Sequence, residues 1–170
     1  MNQLQERYPD EIRHILSKYP SDFKRSAVMP LLHLVQREKG YVSKADQAEI
    51  AGLLGISTTD VASIAGFYTL FHEEQGGRYR IQVCTDLPCA LRGAENFLNQ
   101  VCAELGIKVG ETTPDGLFTI EEVKCLAACH RAPMFQLQGV GEISYHENQT
   151  IETVRALINE LRQRVQKEAA

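Results

Sequence analysis

The sequence predicts an α+β fold in two parts, a helical first half and a second half running β-α-β-β-α. Three observations carry that prediction. Up to about residue 70 the apolar residues recur at helical spacing, as in Ile12, Ile15 and Leu16 or Val28, Leu31, Leu32 and Val35. After Gly76-Gly77 the period drops to two, with Tyr79, Ile81 and Val83 alternating with Arg78, Arg80 and Gln82. All five cysteines lie between positions 84 and 129, and the first 83 residues contain none. Gly76-Gly77 is the expected boundary, dividing the chain into 1–76 and 77–170.

Taken in order, Pro9-Asp10-Glu11 suits the first turn of a helix, with acids at the positive end of its dipole, and Tyr19-Pro20-Ser21 ends it. A second helix is expected from about Asp22 to Lys39, kinked at Pro30 and stopped by Gly40. Ser43 reads as the N-cap of Lys44 to Leu54, closed by Gly55, and Ser57 with Asp60 starts a fourth helix. In the second half a half-buried strand delivers Cys84 at its end. Pro88 then opens a helix to Leu105 whose apolar face is Leu91, Ala94, Leu98, Val101, Cys102 and Leu105. Pro114-Asp115-Gly116 is a turn, and strands follow at Leu117 to Lys124, Met134 to Gln138 and, after Gly139-Val140-Gly141, Glu142 to Tyr145. The final helix spans Thr150 to about Gln166. This order resembles a small thioredoxin-like layer.

Composition bounds the function. At 170 residues the chain can hide about 70% of its unfolded surface without disulfide staples. A net charge of -4 argues against a general affinity for nucleic acid or anionic membranes. The longest uncharged apolar run, Val61 to Phe71, is interrupted by Ser63, Gly66 and Thr69 and falls short of the roughly 18 residues of a membrane span. Glu6, Asp10 and Glu11 stand where a signal peptide needs apolar residues. A chain without direct membrane insertion, located in the cytoplasm, is therefore expected.

The cysteines carry the chemistry. Cys84 and Cys89 form a C-x4-C pair and Cys125 and Cys129 a C-x3-C pair, with 35 residues between the pairs. A strand, a helix and another strand can bring both pairs to one centre. Four thiolates meet the requirement of a [2Fe–2S] cluster, and two ferric ions, two sulfides and four thiolates sum to a charge of -2, or -3 after one electron. Cys89 at the start of a helix and the small residues Leu126-Ala127-Ala128 can bring N–H donors to such a charge. A zinc site remains open, because C-x4-C is permitted, as do inert or disulfide-bonded cysteines. Thioredoxin-type dithiol chemistry needs C-x-x-C, which is absent, and His130 has no partner His for a Rieske site. Cys102 on its apolar helix face reads as core.

VCTDLPCALRGAE, VGETTPDGLFTIEEVKCLAACHRAPMFQ, VQREKGYVS and VASIAGFYTLF together resemble the small iron–sulfur subunit of the NADH dehydrogenase module of NADH:quinone oxidoreductase, respiratory complex I. The resemblance runs from about Ser26 to the final helix. It implies an N-terminal helical bundle followed by a thioredoxin-like [2Fe–2S] ferredoxin domain, with Cys84, Cys89, Cys125 and Cys129 as cluster ligands and no catalytic residue on this chain. It also implies a larger flavoprotein partner carrying FMN and the NADH site, further complex I subunits, and a place peripheral to the inner membrane through the complex. The same module occurs in NAD-linked hydrogenases and formate dehydrogenases, and a zinc-stabilised interaction module is the alternative of another class. Ala127 departs from the family pattern, which usually has glycine there. No G-x-G-x-x-G after a strand and no P-loop is present, so NADH oxidation is expected on another chain.

Other candidates read as structural. Glu73-Glu74 and Glu121-Glu122 are expected to be solvated, and His14, His33, His72 and His146 to be surface or capping groups. Met29, Met134, Phe67, Tyr68 and Phe71 read as core or interface, with Gly66-Phe67-Tyr68 the best interface segment.

Overall fold

The computed structural model describes residues 3–139 and 142–168. The chain divides into two units, Met1–Gln75 and Gly76–Ala170, each with a core of its own.

The first unit holds α1 (Gln3–Arg7), α2 (Pro9–Ser17), a 3-10 segment (Ser21–Ala27), α3 (Val28–Lys39), α4 (Lys44–Leu54) and α5 (Thr58–Phe67). Its helix starts follow the sequence chemistry. The Ser43 Oγ accepts the Asp46 N–H at 3.3 Å and the Asp46 carboxylate accepts the Ser43 N–H at 2.9 Å, a reciprocal cap for α4. Lys39 Nζ closes on the same carboxylate at 2.5 Å. Burial pushes the Asp46 carboxyl up, yet Lys39 and the two Ser43 donors outweigh it and hold the group below its ordinary value. Ser57 caps α5 with its side chain, accepting the Asp60 N–H at 3.1 Å.

Two features differ from expectation. No single helix spans 22–39: Phe23 leaves helical geometry (φ -120°, ψ 21°) and α3 begins only at Val28. Pro30 therefore falls in the first turn, where backbone N–H groups have no intrahelical acceptor, and it starts a helix rather than kinking one. α1 has no apolar stripe to announce it, since Leu4 is its one buried residue. Leu4, Ile12, Leu31, Leu32 and Ile50 form the centre of this core, and burying each such side chain contributes roughly 1.5–3 kcal/mol. Phe71 joins them, whereas Phe67 is 78% exposed.

The second unit holds β1 (Tyr79–Cys84), α6 (Leu87–Ala90), α7 (Ala94–Leu105), β2 (Phe118–Val123), β3 (Phe135–Gly139), β4 (Glu142–His146) and α8 (Ile151–Glu168). The sheet order is β2-β1-β3-β4, with β1 parallel to β2 and antiparallel to β3, and β3 antiparallel to β4. Tyr79, Ile81, Val83, Phe118, Ile120, Phe135 and Leu137 form one core with α7 and α8. The Gly77 position has a steric reason: a Cβ there would lie 2.8 Å from the Phe118 backbone. The Val140 and Gly141 part of the expected turn lies outside the described residues.

β1 is a central strand with all six residues buried, not a half-buried one. Its polar face is satisfied sideways: Gln82 Nε2 donates to Glu121 Oε2 at 2.9 Å, Gln136 Nε2 donates to Gln82 Oε1 at 2.8 Å, and Arg80 pairs with Glu121 at 2.5 Å. Glu121 is thus part of a network rather than solvated. The expected helix from Pro88 to Leu105 is two pieces, α6 and α7, separated at Gly93 with φ of +88°, and Leu91 is 81% exposed instead of lying on the apolar face. Two histidines also depart from a surface role. His72 is buried, with its backbone N–H donating to Gln36 Oε1, and His146 stacks on Phe135. Among the described residues no helix is long and apolar enough to cross a membrane.

Candidate metal centre

The parallel pairing of β1 and β2 sets Cys84 opposite Val123, so both strands end at the same edge of the sheet. From there the chain turns into α6 after Cys84 and into the loop carrying Cys125 after β2. A 3-10 turn at Cys129–Arg131 lies against α6 and brings in the fourth cysteine. Cys84, Cys89 and Met134 are fully buried in a small cluster with Ala94, Ala128 and Ala132, with Leu126 and Cys129 partly buried beside them. The small alanines let backbone approach sulfur closely.

Cys89 lies between two of the other three predicted sulfurs. The Cys89 sulfur lies within hydrogen-bond distance of both Cys84 and Cys129. The backbone N–H groups of Asp86, Leu126 and Cys125 hydrogen-bond to the Cys84 sulfur. Burial pushes the Cys84 thiol up, but these donors and the Cys89 thiol more than offset it and leave the group below its ordinary value. Burial, with the neighbouring Cys84 and Cys129 sulfurs, pushes the Cys89 thiol up to about 12. Cys125 is exposed, and it contributes its backbone N–H to the group. Cys102 sits elsewhere, packed against the α7 and α8 core.

Among the described residues no three His, Cys, Asp or Glu side chains are arranged to hold one metal ion. The donor set fits an iron–sulfur group in its chemistry. It offers soft thiols, one of them accepting three backbone N–H bonds, packed among Met134 and small alanines. The donors arise differently from expectation. α6 has only four residues, too short to lend much dipole, and the N–H groups come mainly from the 125–126 loop. That loop holds Cys125 at φ 53° and Ala127 at φ 59°, the left-handed region.

Spacing gave no hint of the side chains around these loops. Lys124 Nζ donates to Thr85 Oγ1 at 2.7 Å and to Glu122 Oε1 at 2.6 Å. The Lys124 ammonium is held above its ordinary value, first by the Glu122 hydrogen bond, with the charges of Glu122, Asp86 and Cys84 adding to it. Arg92 Nε donates to the Ala132 carbonyl at 3.1 Å, tying the α6–α7 junction to the chain beyond Cys129.

Comparison with known proteins places this geometry in a family context. The thioredoxin-like [2Fe-2S] ferredoxin family matches residues 12–162. NADH-quinone oxidoreductase subunit 2 of Thermus thermophilus is 40% identical over 153 residues, covering 90% of this chain and 83% of the relative. An NADH-quinone oxidoreductase subunit of Rhizobium meliloti is 41% identical over 153 residues, covering 90% of this chain and 88% of the relative. Among solved structures, a crystal structure of an NAD+-reducing [NiFe]-hydrogenase in the air-oxidized state superposes with a TM-score of 0.68 at 20% identity, over 81% of this chain and 23% of that one. At that identity the likeness shows a shared fold alone.

Proposed function

The chain belongs to the thioredoxin-like [2Fe-2S] ferredoxin family, and from that premise we propose that it is the small electron-transfer subunit of an NADH:quinone oxidoreductase. Cys84, Cys89, Cys125 and Cys129 hold one [2Fe–2S] cluster. When bound, the cluster supplies a one-electron centre, which ordinary side chains lack. The observation that carries this reading is the packing of Cys84, Cys89 and Cys129 in one cluster at the paired ends of β1 and β2.

The chain's own residues do three things. The N–H groups of Asp86, Cys125 and Leu126 offset negative charge at Cys84 without a counter-ion. The buried side, with Met134 and the alanines, excludes water. The loop with exposed Cys125 and His130 leaves the opposite side open toward a partner. That partner is a flavoprotein with FMN and the NADH site; it removes the hydride from NADH, and single electrons pass to and from this chain. Further subunits tie the pair to the cytoplasmic side of the membrane, so the chain needs no membrane segment.

Replacing each cysteine in turn tests the ligand set. Cys84→Ala, Cys89→Ala, Cys125→Ala and Cys129→Ala should each lose most of the bound iron, while Cys102→Ser keeps it. An unchanged iron content in Cys125→Ala would remove that residue from the ligands. Co-purification from the native host should bring down an FMN-containing subunit, and recovery with a hydrogenase or formate dehydrogenase catalytic subunit instead would assign the chain to that enzyme.

A further inference from the structure

Next to the cysteines a ring of polar side chains closes over the ends of β1 and β2. Thr85 follows Cys84, and Lys124 precedes Cys125. Lys124 Nζ donates to Thr85 Oγ1 at 2.7 Å, lies 3.5 Å from the Thr85 carbonyl oxygen, and donates to Glu122 Oε1 at 2.6 Å. The Thr85 hydroxyl donates to the same Glu122 oxygen at 2.5 Å. Thr85 is buried, while the Lys124 and Glu122 side chains are 63% and 43% exposed. The ring therefore fixes a cation on the residue before Cys125 and ties it, with the Glu122 anion, to Thr85, the residue after Cys84. As a stabilising contact it is weak, because solvent screens an exposed ion pair. Its effect on a charge that changes nearby has a definite sign.

We propose that Lys124, held by Thr85 and Glu122, raises the reduction potential of the cluster and that Glu122 lowers it, so that the ring sets the potential rather than only clamping the strands. The proposal rests on the ligand assignment above. Reduction adds one negative charge at the site, so a fixed cation favours the reduced state and a fixed anion the oxidised one. The Thr85 hydroxyl and carbonyl keep the ammonium at the Cys84 end instead of letting it move out into solvent. A clamp with no electrostatic role makes a different prediction, because removing either charge opens the same ring and loosens it in the same way.

The test is a redox titration of the full chain with its cluster, followed by EPR, after iron content has been measured in every variant. At a fixed poise Lys124→Gln should lower the reduced-to-oxidised ratio at least threefold, and Glu122→Gln should raise it by a similar factor. On the one-electron scale of about 59 mV per tenfold, threefold is about 28 mV. Lys124→Arg should stay at the wild-type value, the double Gln variant should return near it, and the shifts should shrink as salt rises. Equal iron content with both single variants shifting in one direction, or neither shifting, overturns the proposal and leaves the ligand assignment standing. Wild-type protein that binds no iron overturns both together.

Discussion

Cys125 and Ala127 hold the loop around the cysteines in the left-handed region, at φ 53° and 59°. For an L-residue that conformation costs roughly 1–2 kcal/mol, and only glycine adopts it freely. Cys125 is bound to its position by its proposed role, but the Ala127 methyl has none, and the residue is exposed. Ala127→Gly should therefore raise the stability of the cluster-free chain by about 1 kcal/mol despite the extra freedom glycine brings to the unfolded chain. Denaturant unfolding reads this directly, and a loss of stability would mean that the loop relaxes when the chain is free. The sequence pointed to this residue through its departure from glycine, whereas Cys125 gave no signal, because nothing in a cysteine's identity announces a positive φ. The Lys124, Thr85 and Glu122 ring was equally invisible, since it joins residues 37 to 39 positions apart in the chain.

At the scale of elements, legibility followed the chemistry of the ends. Ser43 and Ser57 announced α4 and α5 because a capping hydroxyl and an acid three residues on form a local pattern. Gly93 was read through as helix, although it breaks α6 from α7, because a lone glycine inside an apolar periodicity is ambiguous. β1 misled for a different reason. Alternating Arg80 and Gln82 suggests a wet face, and only the register with β2 and β3 reveals partners that keep those groups satisfied while buried. Gln82 is the middle of that ladder, 1% exposed, between Glu121 and Gln136. Gln82→Leu removes the acceptor of Gln136 Nε2 and should cost about 1–3 kcal/mol, the penalty for stranding a buried polar group. Thermal unfolding checks it; an unchanged midpoint would mean that water reaches this face of the sheet.

Over the whole molecule, the change from helical to alternating periodicity leads to the expected boundary at Gly76-Gly77, and each unit buries an apolar face of its own. The cysteine spacing leads to the proposed centre, because ligand pairs need short loops at one edge of a sheet. Spacing alone left zinc and a cluster both open, since it counts ligands and says nothing of the donors around them. The three N–H groups on the Cys84 sulfur suit a thiolate ligand of either centre, and the family match is what favours the cluster. Iron, acid-labile sulfide and zinc, measured on the anaerobically purified full chain together with an EPR spectrum after dithionite reduction, test this most directly. Two irons and two sulfides per chain with a spin-half signal are the predicted result. Stoichiometric zinc without iron, persisting after iron-replete expression, would contradict it and leave a zinc-stabilised interaction module in its place.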